Sequence, residues 1–193
     1  RDNKIMTMIT QETAKKLLTK VLSFSQADEC ECNLNGRTAG NIRYARNAVS
    51  TAGEESDVVL TVQSTFGKRT GTASINEFDD ASLEKVVKRS EQLAKFAPEN
   101  QEYVPVFGKQ KYLETPSYAP STASVTPEDR ATAAGASIMP SKKSKMVFSG
   151  FLEEEVTFSA IMNNKGLFAY NAATNVDFSV TVRTEDGKGS GWA

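Results

Sequence analysis

The chain has 193 residues, 23 of them Lys or Arg and 24 Asp or Glu, for a formal net charge of −1. That is the length of one domain, or of one and part of another. A hydrophobic share of 39% with 24% charge excludes a wholly disordered chain, and a pI near 5.7 excludes the broad basic surface that neutralises nucleic-acid phosphates.

In chain order, the first predicted element is a helix. Ala14, Leu17, Leu18, Val21 and Leu22 share one face behind an N-cap at Thr10. From 29 to 78 the period falls to two: Cys30, Cys32 and Leu34 alternate with Glu31 and Asn33, and Val58, Leu60 and Val62 alternate with Val59, Thr61 and Gln63. Gly36, Gly40, Gly53, Gly67 and Gly71 punctuate these runs, which predicts short antiparallel strands joined by turns. A second helix follows from Asp80 to Ala97, capped by Asp79 or Asp80 and stopped by Pro98. Its predicted buried stripe is Leu83, Val86, Val87, Leu93, Ala94 and Ala97, with Glu84–Lys88 and Glu91–Lys95 paired at i,i+4 on the wet face.

Residues 98–125 hold Pro98, Pro105, Pro116 and Pro120, interleaved with Tyr103, Phe107, Tyr112 and Tyr118. Proline breaks helices and central strands, so this is an extended connector whose aromatics pack across a surface. A third helix opens at Thr126-Pro127-Glu128-Asp129, with Thr as N-cap and Pro at N1, and ends by Pro140. Ser141–Lys145 reads as a solvated basic loop. Beyond Met146 the period is two again: Val156, Phe158, Ala160 and Met162, then Val176, Phe178, Val180 and Val182, around a turn at Asn163-Asn164-Lys165-Gly166. The expected organisation is an N-terminal α+β domain over 1–97, a Pro/Tyr-rich connector over 98–125, and a helix with an antiparallel meander over 126–193. The fold class is α+β: antiparallel sheets flanked by a few helices in two consecutive α/β units, the second truncated at its C-terminus. The only Trp stands one residue from the end, which reads as a cut within a larger protein.

The chemistry is sparse. Histidine is absent, which removes Ser-His-Asp and Cys-His catalysis and any His-bearing zinc site from these residues. Cys30 and Cys32 are the two cysteines; zinc wants four ligands, so they read as small apolar groups on the inner face of a strand. Their small number, with no apolar signal segment, points to a reducing, cytoplasmic setting. No run approaches the ~18 apolar residues of a membrane span. Glu153 and Glu155 share one strand face, the minimum for acid–base work, but nothing nearby in sequence orients them. Gly67-Lys68-Arg69 and Gly187-Lys188-Gly189-Ser190 lack phosphate-loop spacing and read as hairpin turns.

Gly67-Lys68-Arg69-Thr70-Gly71-Thr72-Ala73 resembles the "G-x-R-x-G-x-A" strand of the TldD/PmbA family, also called the proposed modulators of DNA gyrase. The helix from Asp80 to Ala97 is the element that comes next there. Met162-Asn163-Asn164-Lys165-Gly166 resembles the family's "N-S-x-G" turn, with Asn164 where Ser is common, and Val176 to Thr184 and the final Gly-Ser-Gly-Trp fit family strands. The resemblance spans nearly the whole chain but about the first half of a family member. It implies a zinc metallopeptidase whose H-E-x-x-x-H helix lies beyond Ala193 in TldD-type members and is missing from PmbA-type (TldE) members, which pair with a TldD-type subunit. It therefore carries no catalytic residue and no metal ligand onto this chain, which is not catalytic by itself. Zinc would belong to the full-length protein or its partner subunit. Asn163 and Gly166 are carried over as structural residues of the turn.

The expected role is enclosure of peptide substrate and dimerisation in a metallopeptidase-type assembly involved in proteolysis. The alternative is a non-catalytic PmbA/TldE-type partner that acts only in assembly and substrate presentation. Expected partners are a second TldD/PmbA-type subunit, as homodimer or heterodimer, and an unfolded peptide, with neither membrane nor nucleic acid. Modulation of gyrase through DNA is opposed by the acidic pI.

Overall fold

Period and capping carry through into the computed structural model, which describes residues 9–193. Helix α1 runs Gln11–Ser23 with Thr10 as N-cap, its side chain accepting from Thr13 N, and buries Ala14, Leu18 and Val21. Strands β1 (Glu29–Ala45), β2 (Ala48–Phe66) and β3 (Arg69–Ile75) follow, then helix α2 (Asp80–Phe96), capped by Asp79. Helix α3 (Pro120–Ala123) is a single turn, and α4 (Pro127–Ile138) opens with a capping box between Thr126 and Asp129. Helix α5 (Ser141–Ser144), β4 (Met146–Asn163), β5 (Phe168–Thr184) and β6 (Ser190–Trp192) complete the chain. The strands form one antiparallel six-stranded sheet in the order β3-β2-β1-β4-β5-β6, an α+β fold.

Three expectations are corrected. Gly36, Gly40 and Gly53 do not mark turns; they lie inside β1 and β2, which run 17 and 19 residues without a break. Gly36 and Gly40 are close-approach positions. A Cβ at Gly36 would strike the Phe158 ring, and one at Gly40 would strike the Arg130 guanidinium and the Glu154 carboxylate. On α2, Leu93 is exposed while Ser90 and Glu91 are buried. Glu91 does not pair with Lys95; its carboxylate accepts from Ser25 Oγ (3.1 Å) and Gln26 N (2.6 Å), holding the segment after α1, and Lys95 lies over the Phe66 ring. Glu84–Lys88 does pair, at 2.5 Å. The basic stretch 141–145 is not open loop either, since Ser141–Ser144 is a helical turn ended by Lys145 at φ +54°.

The described residues divide into two compact units. The first takes the chain up to Gly36, Asp57–Thr115 and Thr157–Ala172. Its core joins Leu18 and Val21 of α1 and Leu83, Val86 and Val87 of α2 to the inner faces of the strands at Cys32, Leu34, Leu60, Val62 and Phe158. Each fully buried Leu here contributes about 1.5–3 kcal/mol relative to exposure. Antiparallel register pairs Val62 with Ala73 and Ser64 with Gly71, so small residues line the strip of sheet beneath α2. The second unit takes Arg37–Ser56, Pro116–Val156 and Ala173–Ala193. There Ala134 and Ile138 of α4 pack on Ile42, Tyr44, Leu152 and Val180, and the Tyr44 hydroxyl meets Ser137 Oγ at 2.6 Å. Gly150 leaves room for the Tyr44 ring.

Candidate functional site

Asn163 and Gly166 sit at the hairpin between β4 and β5, in the first unit. Asn and Gly tolerate the backbone that such a turn demands, and Gly166 takes it at φ +91°. Asn163 is 3% exposed. Its Oδ1 accepts from Lys165 N (3.0 Å) and Leu167 N (3.2 Å), while its Nδ2 donates to the Phe107 carbonyl (2.9 Å). Asn164 next to it exchanges hydrogen bonds with Cys30 in both directions. The turn therefore ties three pieces of chain: its own hairpin, the start of β1, and the Pro/Tyr connector.

The connector is held further on by Glu29, whose carboxylate accepts from the Tyr103 hydroxyl and from Val106 N at 3.1 Å. Burial, then the carboxylate beside it, pushes the Tyr103 hydroxyl up to about 12. With its start pinned in this way, the connector borders a groove of about 450 Å³ over the sheet. Asn33, Asn35 and Ser159 form its polar floor, Ser159 Oγ donating to Asn35 Oδ1 at 2.8 Å, and Tyr112, Leu113 and Ile161 supply apolar surface. Among the described residues, no charged side chain lines it. Alternation could have placed Asn33 and Asn35 on the face opposite Cys32 and Leu34, but a single sequence does not show what crosses that face.

Replacing Asn163 by Ala should cost about 2–3 kcal/mol, because it strands the N–H of the buried Leu167 as well as losing the connector bond. Urea denaturation measures the cost, and limited proteolysis should show cleavage within 98–125 appearing earlier than in the parent. An unchanged cleavage pattern would mean that the turn does not hold the connector.

The other candidates resolve as structure. Cys30 and Cys32 are free and fully buried. The hydrogen bond they share, then burial, drives the Cys32 thiol far above its ordinary value, while that bond pulls Cys30 down to about 7. Glu153 and Glu155 do face the same way, and the residue that orients them is Arg37: its Nη2 reaches Glu153 at 3.0 Å and its Nε reaches Glu155 at 2.7 Å, with Glu55 a third partner. A guanidinium satisfied by three carboxylates holds strands together and leaves neither acid poised for proton transfer. Gly67 and Gly187, at φ +59° and +71°, are hairpin turns.

Residues 30–94 match the PmbA/TldA metallopeptidase domain 1, and residues 120–193 match the PmbA/TldA metallopeptidase central domain. The chain belongs to the PmbA/TldD family. Similar solved structures agree with the fold. TldE from Thermococcus kodakarensis aligns with a TM-score of 0.79 at 16% identity, over 91% of this chain and 40% of its own. A proposed modulator of a DNA gyrase from Thermotoga maritima aligns at 0.78 and 12%, over 92% and 41%. Another from Bacteroides thetaiotaomicron aligns at 0.79 and 17%, over 96% and 44%. This PmbA/TldD chain thus spans about two-fifths of the length of these structures. Among curated protein sequences, none matches it significantly. The family is one of metallopeptidases, so the fit of these residues to a metal matters. Among the described residues, no three His, Cys, Asp or Glu side chains converge to hold an ion, and no step through zinc is assigned to them. No helix among the described residues is long and apolar enough to cross a membrane.

Proposed function

We propose that this region encloses peptide substrate and contributes to dimerisation in a zinc metallopeptidase-type assembly of the cytoplasm. The groove beneath the connector carries the reading. Asn33, Asn35 and Ser159 offer neutral donors and acceptors to a peptide backbone, and Tyr112, Leu113 and Ile161 offer contact to its side chains. The described lining is uncharged, which suits main chain, since main chain presents amides at every residue whatever its sequence. Apolar side chains open to solvent, among them Phe96 at 91% and Val104 at 76%, supply surface for a second PmbA/TldD subunit.

The test is made on the full-length protein, alone and mixed with its partner subunit, by zinc analysis and by cleavage of an unfolded peptide. Asn35→Ala combined with Leu113→Ser should raise KM about tenfold with kcat unchanged, the signature of lost uniform binding. Protein that is metal-free and inactive in both settings would defeat the enzymatic reading. The non-catalytic partner role predicts instead a zinc-free protein that stimulates cleavage only in the mixture.

A further inference from the structure

Seven arginines are described, and carboxylates hold three of them: Arg37, Arg69 and Arg130. Of the remaining four, Arg89 is on α2, and Arg43, Arg46 and Arg183 border one small area of the second unit. Two adjoining cavities of about 360 and 380 Å³ lie there. They share Ser149 and Thr181; Arg43 and Ser179 line one, and Arg46 and Arg183 line the other. None of the three guanidiniums forms an ion pair, and the hydroxyls of Ser149, Ser179 and Thr181 make no hydrogen bond, among the described residues. In a chain of net charge −1, this is a local charge of three with its donors unspent.

Sheet and hairpin fix the backbone from which each arginine projects. Arg43 lies over the Phe151 ring, 5.3 Å from its centroid. Arg46 occupies the β1–β2 hairpin at φ +52°, followed by Asn47 at +64°, a conformation that chemistry would otherwise fill with Gly or Asn. Asn47 clamps this hairpin onto β4: its Oδ1 accepts from Phe148 N (2.7 Å) and its Nδ2 donates to Met146 O (3.0 Å). Arg183 faces Ser190 across the β5–β6 pair, and Thr181 faces Trp192. Directly opposed residues share a sheet face, so the 78% exposed Trp192 ring flanks Thr181.

We propose that this area binds a small phosphorylated ligand, its phosphate held by Arg43, Arg46 and Arg183 with the hydroxyls of Ser149, Ser179 and Thr181. A carboxylate is satisfied by one guanidinium used bidentately. Three guanidiniums with three hydroxyls match the greater charge and the tetrahedral oxygens of a phosphate mono- or diester of low mass. Each cavity falls within the few hundred Å³ common for small-molecule sites. A nucleic-acid polymer fits less well, because it needs a basic stripe. Along β4 the face that carries Ser149 and Phe151 continues into Glu153 and Glu155 by simple alternation, so the positive area is bounded by carboxylates.

Calorimetric titration of the full-length protein with inorganic pyrophosphate tests the proposal. One equivalent should bind, weakening with added salt, and Arg46→Ala and Arg183→Ala should each weaken binding about tenfold. Arg89→Ala, which removes the same charge from an unpaired arginine on α2, should leave binding unchanged. These side chains are exposed, so the circular dichroism of all three variants should equal that of the parent. Absence of binding at millimolar pyrophosphate, or equal weakening by Arg89→Ala, would overturn the site. A single-stranded oligonucleotide that binds more tightly than pyrophosphate and loses affinity in the same two variants would overturn the small ligand in favour of a polymer.

Discussion

Gly71→Ala should lower the stability of the protein by about 3 kcal/mol, near the top of what one added methyl group does in a packed interior. At Gly71, β3 meets α2 backbone to backbone: a Cβ there would strike Ser90 O, Ala94 N and Leu93 C. No side chain can swing aside to make room, so strand or helix must move as a body. The surroundings are built for that closeness. Ser64, opposite Gly71 in register, is fully buried and meets Ser90 Oγ at 2.7 Å, and Ser90 also donates to Val87 O at 2.8 Å. Displacing α2 would therefore break a satisfied pair of buried hydroxyls and loosen Leu83, Val86 and Val87 as well. Gly135 in α4 provides the contrast, because nothing lies within 4 Å of a Cβ placed there. Gly135→Ala should raise stability by about 0.5–1 kcal/mol through helix propensity. Denaturant titration of both variants checks the pair. Equal and small effects would mean that the packing of α2 on β3 is loose.

The same glycines show where sequence reading stops. Period two located Cys30, Cys32, Leu34, Leu60, Val62 and Phe158 correctly on buried faces, because alternation is a local property of a strand. The caps Thr10 and Thr126, and Asp79 as one of two neighbouring candidates, are legible for the same reason: the acceptor and its N–H donors lie within three residues. A glycine, however, carries two meanings. Gly67 and Gly166 are needed for positive φ, whereas Gly36, Gly40 and Gly71 are needed because something distant comes close. Only the partner, Phe158 or Arg130 or the backbone of α2, tells the two apart, and it lies far along the chain. Glu91 misleads likewise: its i,i+4 spacing to Lys95 is a weak attraction of a few tenths of a kcal/mol. Two hydrogen bonds to the segment after α1, made by a buried carboxylate, outweigh it. The groove floor of Asn33 and Asn35 and the three unpaired arginines are also long-range facts, since each draws its residues from separate strands.

Arg130→Met should cost about 3–5 kcal/mol at neutral pH, the range for removing one partner of a buried ion pair. The Arg130 side chain is 4% exposed and that of Glu154 is 10%, so water does little to screen their contact. The second partner, Glu54 at 2.7 Å, is 55% exposed and is worth at most about 1 kcal/mol. Loss of Arg130 would leave Glu154 facing Gly40 with no counter-charge, its Oε2 already lacking a hydrogen-bond partner among the described residues. The pH dependence follows from the direction of the shift. Burial raises the Glu154 carboxyl above the usual range, and Arg130 opposes that rise while Glu54 adds to it. A raised carboxyl binds its proton more tightly in the folded state, so stability falls as pH climbs from the unfolded value to the folded one. Without Arg130 the folded value rises further and this window widens upward. The cost of Arg130→Met should accordingly be smallest below the ordinary carboxylate range, where Glu154 is protonated in both states, and should grow towards neutrality. Arg130→Met combined with Glu154→Gln removes both charges and should recover most of the loss, with a coupling of about 2 kcal/mol in the double-mutant cycle. Urea titrations at several pH values, on the parent and the three variants of the cycle, provide the measurement. A cost that does not vary with pH, or a double variant no more stable than Arg130→Met, would show that α4 is held by Ala134, Ile138 and the Tyr44–Ser137 bond rather than by this buried charge.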